Sequence, residues 1–303
     1  MIKNSSLISD CASALHLNSV ELARLVQSGP FRYKTYPIKK RNGQNRWIAQ
    51  PAKELKPVQR FLASEVLDKY QISSIATAYR KGLSILDNAS PHKHSNIIFK
   101  IDFRNFFHSI YVSDFLKYLK ENSSLNDNEI KFVLLSCFWF NKDNKSLALS
   151  IGAPSSPIIS NVIMFDIDEK IKRLCAEKKL NVTRYADDIT ISGDEIEKFS
   201  EIKSSIIAIL KEAPYPKLYL NDEKTVFVSK RYRRTVTGLV LSNDEKVSIG
   251  RYAKREIRAA MYRANKFGID AEAKEILIGK VAFAQMIDKD FVEDLRRKFP
   301  LKQ

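Results

Sequence analysis

The sequence predicts an α+β protein with a helical appendage at its C-terminal end. Through the middle of the chain, short β-prone apolar runs alternate with segments of helical periodicity. From Arg251 onwards the pattern is helical and basic. The 303 residues are 44% hydrophobic and 28% charged, enough to bury a large core. Disordered and low-complexity classes are excluded, because only 9 glycines and 10 prolines are spread along the chain.

The N-terminal third is predicted to contain helices and one β-hairpin. Asn18 followed by Glu21 resembles a capping box, which predicts a helix at this point. The β-prone segments 36–38 and 47–49 flank a turn-rich basic stretch that contains Asn42-Gly43. Since Asn-Gly is a strong hairpin signal, this stretch predicts a hairpin with a basic tip.

The central part of the chain is predicted to deliver acidic side chains from buried strands. The apolar run 97–101 ends at Asp102, which reads as a buried strand with a carboxylate at its end. The runs 182–185 and 189–192 are separated by Ala186-Asp187-Asp188, a hairpin with two acids at its tip. Helices are also predicted over 56–70, 127–140, from Pro157 onwards and over 195–212, and further strands over 224–229 and 235–241.

The charge balance predicts a polyanionic partner. The chain has 51 Lys and Arg against 35 Asp and Glu, a net charge of +16. Twelve basic residues lie between Lys224 and Lys266 against three acidic ones, and a second basic cluster runs from Arg32 to Arg60. Two separated basic surfaces could hold a nucleic acid from two sides. A solvated basic surface is the alternative.

Composition argues against a membrane or exported protein. The longest strongly apolar run, 132–140, is much shorter than the roughly 20 residues that a bilayer crossing needs. Three cysteines lie far apart, without the spacing of a disulfide framework or a zinc site. We therefore expect a cytoplasmic protein.

The acidic residues predict a metal site. Asp102 and the pair Asp187-Asp188 converge if their strands are neighbours in one sheet. Three carboxylates repel one another, and two divalent cations offset that repulsion while they hold the attacking and leaving oxygens of a phosphoryl transfer. Oxygen ligands favour Mg²⁺. A polar turn is the alternative for Asp187-Asp188 alone.

Tyr185-Ala186-Asp187-Asp188 is similar to the Tyr-x-Asp-Asp box of reverse transcriptases. The other motifs of this family occur along the chain in the same order as in its members. Asp102-Phe-Arg-Asn-Phe-Phe107 resembles the first palm motif, Gly152 to Asn161 the second, Asn221-Asp-Glu-Lys224 the fourth, and 39–60 the fingers of bacterial members. The chain departs from the family at Ser150-Ile151, where members often have Pro-Gln.

Two further sequence signatures resemble those of retron reverse transcriptases. They are Asn88-Ala-Ser-Pro-His92 and Val236-Thr237-Gly238. Two roles remain open for Asn88 and His92. One is to cap a turn and so fix the strand that ends at Asp102, and the other is to contact the template.

The resemblance implies a right-hand polymerase fold with fingers, a palm of antiparallel sheet plus helices, and a small helical thumb. Its expected segments are the N-terminal fingers (1–98), the first palm segment (99–112), a fingers–palm connection (113–150), the rest of the palm (151–242) and a thumb that binds RNA (243–303).

The resemblance also implies roles for individual residues. Asp102, Asp187 and Asp188 would be catalytic and, with the backbone carbonyl of Phe103, would hold two Mg²⁺ ions. Phe107 would lie beneath the sugar and exclude a 2′-hydroxyl. The remaining residues implied to bind nucleotide are Lys40 (or Lys39), Arg46 and Lys224, and those on the predicted basic helix are Arg251, Lys254, Arg255 and Arg258.

The implied function is RNA-directed DNA synthesis. Retron enzymes copy a cognate structured non-coding RNA from deoxynucleoside triphosphates. They begin at the 2′-hydroxyl of an internal guanosine and so make a branched RNA–DNA product. Anti-phage defence with an effector protein belongs to the same resemblance. Two alternatives stay open: the reverse transcriptase of another bacterial element, and a catalytically idle RNA-binding scaffold.

Overall fold

The computed structural model describes residues 7–39 and 43–300. Their strands are β1 (Tyr33–Lys39), β2 (Asn45–Pro51), β3 (Ile97–Asp102), β4 (Trp139–Asn141), β5 (Ser146–Ala148), β6 (Asn181–Tyr185), β7 (Asp188–Gly193), β8 (Val226–Ser229), β9 (Arg234–Val236), β10 (Leu239–Leu241) and β11 (Val247–Ser248). Their α-helices are α1 (Leu7–Ala14), α2 (Ser19–Gln27), α3 (Leu55–Glu65), α4 (Ile85–Ala89), α5 (Val112–Asn122), α6 (Asp127–Cys137), α7 (Ser156–Ile163), α8 (Phe165–Glu177), α9 (Ile202–Glu212), α10 (Arg251–Phe267), α11 (Ala271–Ile287) and α12 (Lys289–Lys298). The α+β prediction is confirmed.

A four-stranded antiparallel sheet positions the predicted acidic residues. Its strand order is β6–β7–β3–β8, so the strand that ends at Asp102 lies beside the second strand of the acidic hairpin. The alternating residues Ile101, Ile189 and Ile191 are fully buried and pack into the main hydrophobic core. Burial of these side chains fixes the register, because a slip of one residue would move them to the opposite face, where Thr190 and Ser192 lie.

The N-terminal helices pack into the same hydrophobic core as this sheet. The capping box predicted at Asn18 and Glu21 is present at the start of α2. Strands β1 and β2 form the predicted hairpin, paired from Tyr33 opposite Pro51 to Lys39 opposite Asn45. Its tip, residues 40–42, lies outside the described residues, so the predicted nucleotide ligand Lys40 has no structural description.

A second, smaller core joins the C-terminal helices to a three-stranded sheet. That sheet has the order β11–β10–β9. Val236 and Leu239 of this sheet pack with Ile257 of α10 and Leu277 of α11. The predicted helical tail is confirmed as three helices, broken at Gly268, where φ is +79°, and again at Asp288.

The predicted single strand over 235–241 is wrong. Thr237 and Gly238 both have positive φ, +45° and +84°, and they form a tight turn between β9 and β10. Two successive residues with positive φ suit a two-residue hairpin, which folds the segment back on itself.

Several predicted boundaries also move. Helices predicted over 56–70, 127–140 and 195–212 are α3, α6 and α9, each shorter than predicted, and the strand predicted over 224–229 begins at Val226. Short 3-10 turns, Leu67–Lys69 and Ile196–Phe199, take up part of the difference. Among the described residues, none of the helices has the length and apolarity needed to cross a bilayer.

Candidate active site

The three predicted aspartates meet at one end of the central sheet. Asp102 is the register partner of Asp188 across β3 and β7. The backbone N–H of Phe103 donates to the carbonyl oxygen of Asp187 at 3.1 Å, which holds the tip of the hairpin against the end of β3. Residues that are 85 positions apart along the chain, from 102 to 187, thus share one site.

Two lysines compensate part of the negative charge. Lys224 Nζ lies 2.8 Å and 2.9 Å from the two carboxylate oxygens of Asp102. Lys100 Nζ lies 3.2 Å from Asp188 Oδ2. Burial raises the pKa of Asp188 even so, because removal from water disfavours the charged carboxylate more than Lys100 favours it.

Asp187 has the least compensated charge of the three. Burial, followed by the neighbouring Asp102 carboxylate, raises its pKa, and Lys224 opposes that shift. Clustered carboxylates with raised pKa values suit a hard divalent cation, whose charge offsets both causes. As placed, no three Asp, Glu, His or Cys side chains in the described ranges form a ready metal-binding group. Lysine ammonium groups contact Asp102 and Asp188 instead. The carboxylate oxygens are therefore suitable ligands for a divalent cation, but in this arrangement two of the three carboxylates are paired with lysines.

A buried ion pair that the sequence analysis missed supports the hairpin tip. Arg184 precedes the tip and is fully buried with Asp168 of α8, at 2.8 Å from Nε to Oδ1 and 2.6 Å from Nη2 to Oδ2. Its Nη1 donates to the carbonyl oxygen of Ala186 at 2.9 Å. Ala186 has φ of +57°, so the guanidinium holds a left-handed residue directly before Asp187. The signal for this pair was an aspartate on the apolar stripe of α8, beside Ile167.

An aromatic pair borders the same site. Phe107 packs partly buried against the core, and its ring lies 6.4 Å from the ring of Tyr79. Burial, followed by Asp187, raises the pKa of the Tyr79 hydroxyl, and Arg46 on β2 lowers it. Phe107 therefore packs beside a tyrosine whose hydroxyl is affected by the charges of both Asp187 and Arg46. Sequence reasoning missed Tyr79; its backbone is in the left-handed region, with φ of +62°.

The second predicted motif packs on the hairpin that carries Arg46. Gly152 has φ of +122°, and a Cβ there would lie 3.1 Å from Ile48 Cγ2. Glycine suits this position, because other residues rarely adopt this φ and a Cβ would crowd β2. The Ala49 N–H donates to the carbonyl oxygen of Ile151 at 2.9 Å, so the unusual Ser150-Ile151 pair makes a backbone contact to β2.

The chain matches the family described as reverse transcriptase (RNA-dependent DNA polymerase) over residues 38–249. It is 35% identical over 279 residues to the retron Ec83 reverse transcriptase of Escherichia coli, a match that covers 91% of this chain and 89% of the relative. The chain belongs to the retron-type reverse transcriptases. The retron Ec86 reverse transcriptase of Escherichia coli is 34% identical to this enzyme over 255 residues, covering 84% and 76% of the two chains.

Solved structures resemble the enzyme more remotely. The telomerase of Candida albicans in complex with a fragment of telomeric RNA has a TM-score of 0.49 and 13% identity. The match covers 88% of this chain and 56% of that one. Family membership, and not this distant likeness, assigns the enzyme the right-hand polymerase fold, RNA-directed DNA polymerase activity, template and nucleotide partners, and general use of divalent metal.

Asn88 and His92 of this reverse transcriptase lie in the interior. Their exposed fractions are 1% and 0%. His92 Nδ1 lies 2.7 Å from Ser192 Oγ, and its Nε2 lies 2.8 Å from Thr183 Oγ1. Side chains buried to this extent disfavour direct contact with a template. His92 instead bridges β6 and β7, the two strands of the acidic hairpin, which favours the supporting alternative.

The buried imidazole predicts a pH dependence of stability. Desolvation lowers the pKa of His92 from 6.5 to about 3. Below pH 6.5 the unfolded chain therefore binds a proton that the folded chain does not, so His92 contributes full stability above pH 6.5 and less as pH falls towards 3. We expect His92→Gln to remove about 1.4 kcal/mol per pH unit from the slope of unfolding free energy between pH 6 and 4. Urea unfolding across that range measures it; equal slopes in the two proteins would contradict this expectation. His108 remains in both proteins, so its lowered pKa cancels in the comparison.

The predicted basic face of α10 is only partly open. Arg251, Arg255 and Arg258 are exposed. Lys254 pairs with Asp288, and its Nζ lies 5.0 Å from the ring centroid of Phe291. Lys254 is therefore less open to a nucleic acid than the three arginines, because α12 packs there and supplies an acidic partner.

Proposed function

We propose that the enzyme reverse-transcribes a cognate structured non-coding RNA into single-stranded DNA that stays joined to the RNA by a branch. It acts in the cytoplasm, as part of an anti-phage retron with an effector protein. The observation that carries this proposal is the 35% identity to the retron Ec83 reverse transcriptase over 91% of the chain. The retron signatures at Asn88–His92 and Val236–Gly238 support it.

Nucleotide addition is assigned to the three aspartates. Asp102, Asp187 and Asp188, with the backbone carbonyl of Phe103, would hold two Mg²⁺ ions, which neutralise charge on the attacking and leaving oxygens when bound. Lys224 already contacts the Asp102 carboxylate. Once the cations replace it at Asp102, this ammonium group would donate a proton to the leaving pyrophosphate.

The nucleotide is held from the side of the β1–β2 hairpin. Arg46 provides a guanidinium fork for triphosphate oxygens, assisted by Lys39 or Lys40 near the tip. Phe107 lies under the sugar and excludes a 2′-hydroxyl, which selects deoxynucleotides. The contact between the rings of Phe107 and Tyr79 supports this role, because it holds the Phe107 ring in place.

The domain assignment follows the motif order. Fingers comprise 1–98, the palm 99–112 and 151–242 with 113–150 as the connection, and the thumb 243–303. Arg251, Arg255 and Arg258 are exposed on the first thumb helix. Their guanidinium groups suit the phosphates of an RNA hairpin, which a protein reads largely by shape.

The product tests this proposal. Nucleic acid is extracted from cells that express the enzyme with its flanking genomic DNA, and treated with debranching enzyme. We expect a DNA that is RNA-linked, that changes mobility on debranching and that is absent with Asp187→Asn. Unbranched DNA would indicate the reverse transcriptase of another kind of element. Bound RNA without any DNA would favour an idle scaffold.

A further inference from the structure

The turn between β9 and β10 contains an unfavourable residue. Thr237 has φ of +45°, and Gly238 follows it at +84°. A β-branched side chain is a genuine outlier at positive φ, whereas asparagine, aspartate or glycine fits this turn readily. Such a conformation persists only where surrounding contacts hold it. The chain therefore keeps threonine here for something other than the turn itself.

The hydroxyl of Thr237 contacts the segment before β3. Its Oγ1 donates to the carbonyl oxygen of Ile85 at 3.4 Å and accepts from Asn88 Nδ2 at 3.4 Å. Thr77 Oγ1 donates to Asn88 Oδ1 at 2.8 Å. This donor fixes the orientation of the buried amide, so that its NH₂ group faces Thr237. The two retron signatures, 149 residues apart, are thus in direct contact.

The same segment is held from both sides. Arg234 of β9 is buried and donates from Nη1 to the carbonyl oxygen of Ser95. On the opposite side, His92 contacts Thr183 and Ser192 of the acidic hairpin. Residues 84–95 therefore lie between the strands that carry the aspartates and the small sheet that leads into α10.

We propose that Thr237 is a positioning residue. Its hydroxyl, hydrogen-bonded to Asn88 and Ile85, fixes the position of the β11–β10–β9 sheet and the basic helix α10 relative to the three aspartates. This rests on the proposed nucleic-acid role of α10. Loss of the hydroxyl lets α10 shift relative to the site, which weakens the hold on a primer–template without altering the chemistry of the aspartates.

Thr237→Gly separates this role from folding, because glycine relaxes the backbone while it removes the hydroxyl. We expect a thermal midpoint no lower than that of the natural enzyme. With poly(rA)·oligo(dT) as a generic primer–template, KM should rise about threefold to tenfold, as for the loss of a hydrogen bond, and kcat should stay within about twofold. Thr237→Ser keeps the hydroxyl and should restore KM. Asn88→Ala added to Thr237→Gly should raise KM no further.

Three results would overturn the proposal. The first is an unchanged KM in Thr237→Gly. The second is a lowered thermal midpoint, which would make the contact purely structural. The third is a loss confined to the cognate RNA, which would make Thr237 a reader of that RNA. Arg251→Gln with Arg255→Gln tests the underlying role of α10 separately. If that double variant leaves KM unchanged, the role of α10 fails; if it raises KM while Thr237→Gly does not, only the inference about Thr237 fails.

Discussion

Asp187→Asn should abolish DNA synthesis on an RNA template in the presence of Mg²⁺. The amide keeps the shape of the side chain but supplies no negative charge to a divalent cation. We expect a fall of at least about a thousandfold in the rate of single-nucleotide addition, the scale of losing charge stabilisation in a phosphoryl transfer. Primer extension with a labelled primer measures it.

The matched control is Asp68→Asn, the same chemical change at an exposed carboxylate that pairs loosely with Lys81 at 3.5 Å. It should retain the natural rate. Without metal, Asp187→Asn should unfold at or above the natural temperature, because burial and Asp102 raise the pKa of Asp187 and so disfavour its charge in the fold. Full activity in a correctly folded Asp187→Asn protein would refute the assignment of Asp187 as a catalytic acid.

Arg184→Met should cause a large loss of stability. Arg184 and Asp168 are both fully buried, and methionine leaves the aspartate without its partner. Breaking a buried pair from one side costs about 3–5 kcal/mol. Urea or guanidinium unfolding should show this as a lower midpoint.

Two further variants show whether the loss of stability comes from the unpaired buried charge. Arg297→Met, which breaks an ion pair at the surface, should leave the midpoint nearly unchanged. Adding Asp168→Leu to Arg184→Met removes the unpaired charge and should recover much of the stability. A double variant as unstable as Arg184→Met would show that the loss comes from packing or from the lost bond to Ala186 rather than from the buried charge.

The acidic site was largely predictable because its parts are local patterns. A run of apolar residues ending in Asp102 predicts a strand with a terminal carboxylate, and the two β-prone runs around Asp187 predict a hairpin. Pairing of β3 with β7 then brings them together. The turn at Thr237 was not predictable in the same way, because threonine is β-branched and its local preference is for a continuous strand.

The sequence by itself determined the α+β class, the order of the motifs, the retron signatures and the strand ends that carry the acids. Tertiary structure alone decided which side chains meet: Lys224 with Asp102, Asn88 with Thr237, and Lys254 with Asp288. Periodicity tells which face of an element is buried, since it follows from helix and strand geometry. It does not identify the partner across the interface, because that depends on how distant elements pack.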